Sequence, residues 1–225
     1  LNTKLRGATQ PFGRIYRRYR LLNSILSVGL DASWRRLTVE SLKVSAGQRL
    51  LDVGCGPGDM IRLLTTPNVM RIGLDSERAM LRMMNETASR PKTAICGVAE
   101  ALPFADGEFD AVTAAFALRN FSDRRKALSE WQRVMKPGGR GAIVEFSPPD
   151  RTLMGWIARQ YVQYWLPLVG GIVSGNFNAY RYLSRTTLMF PSPAEITSEI
   201  LTAGFVEVVW RRLTGQVAVL YTFRK

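Results

Sequence analysis

The sequence predicts an α/β protein whose sheet of seven strands is mostly parallel and ends in an antiparallel hairpin. Three observations predict it. Short apolar runs alternate with amphipathic helical stretches from Arg49 to Ser147, the pattern of a parallel sheet covered on both faces. The first run turns through the glycine-rich LDVGCGPGD. Finally, FVEVVWRRL and QVAVLYTF flank Thr214-Gly215 as two alternating strands, which reads as a hairpin.

Each element has its own signal. Phe12, Ile15, Tyr16, Tyr19, Leu22 and Leu26 recur at mostly three- and four-residue steps, an amphipathic helix with arginines on its other face. Asp31 is placed to cap a second helix from about Ala32 to Lys43. RLLDVGCGPGDM reads as strand, glycine turn and helix start, and VMRIGLDSERAM as strand, acid and helix. A weaker strand falls near Thr93–Gly97, a third clear one in FDAVTAAFAL, and a fourth in GRGAIVEFS after the turn KPGG. The alternation stops after Ser147, and residues 148–192 are aromatic, apolar and broken by glycines. Ser192-Pro193 then opens a helix to about Ala203, closed by Gly204. The chain thus divides into a helical arm, 1–45, and a main domain, 46–225, carrying 148–192 as an insertion.

Composition narrows the chemistry. A hydrophobic fraction of 46% and a charged fraction of 22% are those of a globular protein. There is no histidine, which removes the commonest general base and zinc ligand. Cys55 and Cys96 fit no metal or redox spacing and read as reduced thiols of a cytoplasmic protein, and no metal site is expected. No signal peptide is visible. The apolar window Leu153–Val173 is interrupted by Arg159, Gln160, Gln163 and Pro167, whereas a spanning helix takes roughly 20 mainly apolar residues. The net charge is +13, and residues 1–36 carry eight basic residues against Asp31 alone. Such an arm suits anionic partners, either nucleic acid or membrane headgroups.

The glycine loop identifies a ligand class. Gly54, Gly56 and Gly58 clear side chains from a turn near a helix N-terminus, so a ligand can lie against the backbone. Asp75 ends the next strand, 21 residues after Gly54, where an acid accepts hydrogen bonds from a ribose diol. Asp52 lies inside the first strand and either braces the loop or faces a positive ligand. The spacing G-x-G-x-G departs from the dinucleotide fingerprint, and no second phosphate loop follows. Acids at Asp52 and Asp59 suit the cationic S-adenosylmethionine better than a pyrophosphate. In GVAEALPFADGEFD, Val98 and Ala99 are placed to meet an adenine ring and Glu100 to cap the turn; a plain surface loop also accounts for Asp106–Glu108. Arg119-Asn120, directly after the buried strand VTAAFAL, are poor core residues at a sheet end where α/β proteins place ligands.

Together these residues resemble a Rossmann-like class I S-adenosylmethionine-dependent methyltransferase, and within that class the ubiquinone/menaquinone biosynthesis C-methyltransferases. The resemblance runs from about Phe12 to Phe223. It rests on AEALPF at 99–104, FALRNFSDRRKAL at 116–128, RVMKPGGR at 133–140, EFSPP at 145–149, YRYL at 180–183 and LTGQVAVLY at 213–221. It implies that Asp52, Gly54, Gly56, Pro57, Gly58, Asp75, Ser76, Val98, Ala99 and Ala115 surround the cofactor. It implies that Arg119 and Asn120 serve catalysis on a polyprenylated quinol, and that Asn23, Tyr180 and Arg181 contact the substrate, the last two from a helical cap at 148–192. The family pattern has an acid where Arg20 stands, a histidine where Asp31 stands, Thr or Ser where Pro57 stands, and commonly Ser where Ala115 stands. Arg119 is suited to stabilise a phenolate that pushes electron density onto the ring carbon. Its structural alternative is a salt bridge to Asp123 or Glu145. Candidate bases are Asp75 through water, Glu145, Asp123 or solvent hydroxide. The expected partners are a lipid-soluble quinol, an anionic membrane touched peripherally from its inner face, and a second copy in a homodimer, with no nucleic acid. The rival readings are a methyltransferase for another phenolic, polyketide or nucleic-acid acceptor, and a non-catalytic cofactor-binding subunit.

Overall fold

The computed structural model describes residues 29–86, 93–214 and 216–225. The expected helix through Phe12–Leu26, with Asn23, lies outside them, as does Gly215 of the hairpin turn. Helix α1 (Leu30–Ser41) leads into β1 (Arg49–Val53), α2 (Asp59–Leu63), β2 (Met70–Asp75), α3 (Arg78–Glu86), β3 (Thr93–Cys96) and β4 (Phe109–Ala115). A single 3-10 turn (Leu118–Asn120) precedes α4 (Arg124–Val134) and β5 (Met135–Phe146). Then come α5 (Leu153–Gln160), a π-helical turn (Tyr161–Trp165), α6 (Leu166–Ser174), α7 (Phe177–Leu188) and α8 (Pro193–Thr202), and the chain closes with β6 (Val206–Arg212) and β7 (Ala218–Arg224).

The strands form one seven-stranded sheet in the order β3-β2-β1-β4-β5-β7-β6. β1 to β5 pair in parallel, and β7 runs antiparallel to both β5 and β6. Neighbouring side chains on β1 go to opposite faces, as strand geometry requires. Leu50 packs with Trp34, Val39, Leu42 and Met60, and Leu51 with Trp131, Ile196 and Ile200. Each large side chain so buried contributes about 1.5–3 kcal/mol. The strand order reverses between β1 and β4, which opens a crevice at their carboxyl ends.

Two elements differ from the sequence expectation. Helix α1 starts earlier, its N-cap being Gly29 with no side-chain cap; Asp31 sits in the first turn, where it complements the helix dipole. KPGG does not precede β5 but lies inside it: Phe109 pairs with Met135 and Ala111 already with Arg140, so residues 136–139 bulge out of the ladder. Elsewhere local chemistry sets the boundaries. Asp123 caps α4 by accepting from the Lys126 amide, and Ser192 with Glu195 forms a capping box on α8.

Residues 151–190 form a helical insertion between β5 and α8. Gly170 lets α7 come close: a Cβ there would lie 2.3 Å from Cδ1 of Tyr180. Val162, Leu166 and Tyr180 form its small core.

Candidate active site

The carboxyl end of β1 carries the glycine loop. The Gly54 and Cys55 amides both donate to Leu74 O, at 2.7 and 3.0 Å, which ties the loop to β2. Gly54 has φ +69°, and a Cβ there would lie 2.5 Å from the Ala117 Cβ, so glycine is required for conformation and for space. A Cβ on Gly56 would meet no atom within 4 Å, so this backbone faces open space. Asp75 closes the loop: its Oδ2 accepts from the Gly56 amide at 2.8 Å and its Oδ1 from the Glu77 amide at 2.9 Å. A carboxylate has about four acceptor positions, so two remain for a ligand. Burial pushes the Asp75 carboxyl above its ordinary value, and the Glu77 and Gly56 amides partly oppose this.

A cavity opens over this loop. Gly54, Gly56 and Pro57 line it with Asp75, Ser76, Val98 and Ala99, and Ala115, Asn120 and Arg35 complete its wall. Glu100 holds two of its loops together, because its Oε1 accepts from the Ser122 and Asp123 amides at 2.6 and 3.1 Å. It therefore fastens the turn after β3 to the segment before α4.

Two charges stand out. Asp52 is fully buried on β1, and neither of its carboxylate oxygens has a hydrogen-bond partner among the described residues. Burial pushes its carboxyl up to about 7; Arg35 opposes the rise, and Asp75 and Asp59 add to it. Arg35, from α1, lies over the Phe116 ring with its guanidinium carbon 4.9 Å from the centroid, and its Nε is buried without a hydrogen-bond partner among the described residues. An acid and a base thus sense each other across the cavity's edge without forming an ion pair.

The 3-10 turn after β4 carries Leu118-Arg119-Asn120. Phe116, at φ +59°, throws the chain out of the strand, and its amide still donates to Val144 O at 2.8 Å. Asn120 then reaches the cavity wall, where its Oδ1 accepts from the Tyr182 hydroxyl at 3.5 Å, a weak link to α7. Arg119 turns the other way. It is ion-paired with Glu145, the two side chains being 2% and 0% exposed. Its amide donates to Glu145 Oε2 at 3.1 Å, and its guanidinium lies 5.2 Å from the Phe146 ring centroid. The structural alternative for Arg119 is thus the arrangement present, with Glu145 as partner and Asp123 employed as a helix cap. All three carboxylates considered as bases accept hydrogen bonds from the protein.

The structure brings Gly54, Gly56, Pro57, Asp75, Ser76, Val98, Ala99, Ala115 and Asn120 to one cavity. Asp52 lies behind the wall. Gly58 lies outside it as the left-handed N-cap of α2, with Met84 where a Cβ would point. Tyr180 packs within the insertion's core, and Arg181 is exposed on α7. From the YRYL segment it is Tyr182 that reaches Asn120. Sequence reasoning did not single out Arg35 or Phe116 for the site. Arg35 was hidden among seven other basic residues of the first 36, and nothing in its spacing marks it.

The residues present fit S-adenosylmethionine. Arg35 on the cavity wall suits its carboxylate, the remaining acceptor positions of Asp75 its ribose diol, and Val98 with Ala99 its adenine, while Asp52, fully buried behind that wall, acts on its cationic end only through its field. The comparisons agree. The model of the ubiE/COQ5 methyltransferase family matches residues 3–225. A demethylmenaquinone methyltransferase of Thermus thermophilus is 41% identical over 93% of this chain and 97% of its own length. One of Thermotoga maritima is 42% identical over 95% and 94%. The ubiquinone/menaquinone biosynthesis C-methyltransferase UbiE of Geobacter sulfurreducens is 40% identical over 95% and 86%. Among solved structures, a possible histamine N-methyltransferase of Thermotoga maritima superposes at TM-score 0.65 with 18% identity, covering 97% of this chain and 99% of that one. A phosphoethanolamine N-methyltransferase of Haemonchus contortus, solved with S-adenosylmethionine, superposes at 0.63 with 17% identity, covering 86% and 52%. The chain, a Rossmann-like S-adenosylmethionine-dependent methyltransferase, belongs to the ubiE/COQ5 methyltransferase family.

Proposed function

We propose that the protein methylates a ring carbon of a lipophilic quinol, working at a membrane surface from the cytoplasmic side. The observation that carries this reading is Asn120, which shares the cavity wall with the glycine loop and touches Tyr182 of the apolar insertion. The curated relatives named above, demethylmenaquinone methyltransferases and UbiE, support the acceptor class.

When bound, S-adenosylmethionine supplies an electrophilic methyl group. Asn120 holds the quinol ring through a hydroxyl, so that the neighbouring carbon lies at attack distance, roughly 3–3.5 Å. The reacting hydroxyl loses its proton to solvent at the cavity mouth, since Glu145 and Asp123 are spent on the fold and Asp75 is shared between the glycine loop and the ribose. As the carbon–methyl bond forms, the methyl's bond to sulfur breaks with its electron pair left on the sulfur, and the same ring carbon then releases its hydrogen as a proton so that the ring regains aromaticity. Arg119 acts as a positioning residue: paired with Glu145, it anchors the turn that presents Asn120. The insertion shields the ring from water on the side away from the cavity mouth.

The test is methyl transfer from labelled S-adenosylmethionine to reduced short-tail demethylmenaquinol, beside a benzoquinol and a soluble catechol. Label in a quinol supports the reading and reports the ring preference. Label in the catechol alone, or in none with cofactor binding intact, overturns it.

A further inference from the structure

The helical insertion has a surface that the proposed reaction does not explain. From Leu153 to Ile172 the helices α5 and α6 and the π turn between them bury one seam, with Val162, Leu166 and Gly170 facing α7. The remaining faces are open and largely apolar, with Arg159 and Gln163 among them. Leu153, Trp156, Ile157, Trp165, Leu168 and Ile172 are between 49% and 78% exposed. A helix that is apolar all round belongs inside a core or against lipid, and an open apolar patch of this kind marks an interaction site.

Charge identifies what covers it. Residues 151–190 contain Arg151, Arg159, Arg181 and Arg185 and no acidic residue. Docking two copies face to face would bring eight arginines together without a counter-charge. The chain's own first 28 residues carry six basic residues and no acid, so they bring this surface no counter-charge. An anionic bilayer complements both features. Tryptophan and tyrosine rings favour the headgroup boundary, and arginine stems bury their carbons while the charge stays with the phosphates. No helix among the described residues is long and apolar enough to cross a membrane. Arg159, Gln160, Gln163 and Pro167 interrupt the apolar run, so this element lies in the interface plane rather than across it.

We propose that the surface of α5, the π turn and α6 inserts into the interface of an anionic bilayer, with the insertion's arginines on the lipid phosphates. This rests on the quinol reading for its purpose only. The same insertion carries Tyr182 to Asn120, so an acceptor's tail passes from lipid to the cavity without crossing water.

The experiment uses the full chain and vesicles of equimolar phosphatidylglycerol and phosphatidylcholine. Co-sedimentation and quenching of tryptophan fluorescence by acyl-brominated lipid are read together with S-adenosylhomocysteine affinity. Wild type should bind and be quenched. Trp156→Ser with Trp165→Ser should lower vesicle affinity at least about tenfold, with homocysteine-nucleoside affinity unchanged. Arg151→Glu with Arg159→Glu should lose binding to anionic vesicles. Equal binding by the tryptophan variant, or no quenching in wild type, overturns the proposal. So does a lipid-free dimer that the tryptophan variant dissolves, for then a second copy covers the face. Vesicle binding without quinol methylation sinks the quinol reading and leaves this one standing.

Discussion

Asp52→Asn tests the electrostatics of the site most directly. The Asp52 carboxyl has an ordinary value of 3.8 and is pushed up to about 7 by burial. In the unfolded chain it loses its proton near the ordinary value, whereas in the folded protein it keeps the proton until about pH 7. Between those values the unfolded state binds fewer protons, so stability falls as pH rises from about 4 to 7 and stays reduced above. At ~1.4 kcal/mol per pH unit, a gap of about three units costs about 4 kcal/mol. Asparagine keeps the shape and cannot ionise. Below the ordinary value of 3.8 the carboxyl is protonated in the folded and unfolded chains alike, so there the two proteins should melt together. At pH 8 the variant should be the more stable by up to about 4 kcal/mol, a rise in melting temperature on the order of 10 °C for a chain of this size. Cofactor binding should show the opposite preference. The α-ammonium of S-adenosylhomocysteine favours the carboxylate, so wild-type affinity should increase from pH 5.5 to 8 with proton release near pH 7. Asp52→Asn should bind more weakly and with a flattened pH profile. Calorimetry in buffers of different ionisation enthalpy reads affinity and proton release together. A variant less stable than wild type at pH 8, or an undiminished pH slope in its affinity, would refute the reasoning. In the latter case the neighbouring Asp75, whose carboxyl is also raised, would be the titrating group.

Arg35→Ala should weaken S-adenosylhomocysteine binding about tenfold or more while leaving methylthioadenosine, which lacks the amino-acid end, unaffected; an equal loss for both ligands would assign Arg35 to packing on Phe116 instead. Arg119→Ala leaves the fully buried Glu145 without its ion-pair partner and should cost about 3–5 kcal/mol in denaturant unfolding. Arg119→Met with Glu145→Leu, which removes both charges, should recover most of that stability yet lose turnover if the pair positions Asn120. A double variant with full kcat would remove the pair from the mechanism.

The alternation of apolar strands with amphipathic helices is a local pattern, so the parallel sheet, the closing hairpin and the glycine loop were legible in the residues themselves. Asp75 was legible for the same reason: its distance from the loop is set by the length of one strand–helix unit. The direction in which a side chain leaves an irregular turn is not a local property. Arg119 and Asn120 are neighbours in a single 3-10 turn, and only packing against β5 sends Arg119 to Glu145 and Asn120 to the cavity. Gly58 has the same glycine chemistry as Gly56, but α3 brings Met84 against it and makes it a packing and capping residue. Asp52 was readable as an acid in a strand, whereas its lack of a hydrogen-bond partner among the described residues is a property of the assembled core. The encounter of Arg35 with that core depends on α1 docking across the sheet, a contact between segments that no local pattern encodes. The sequence by itself determined the strands, the loops and the class of ligand they accept, because these follow from short-range periodicity and backbone freedom. Which charges are paired, which stand alone at the cavity, and which apolar face of the insertion stays open were decided only by tertiary packing, because desolvation and pairing depend on neighbours that are distant along the chain.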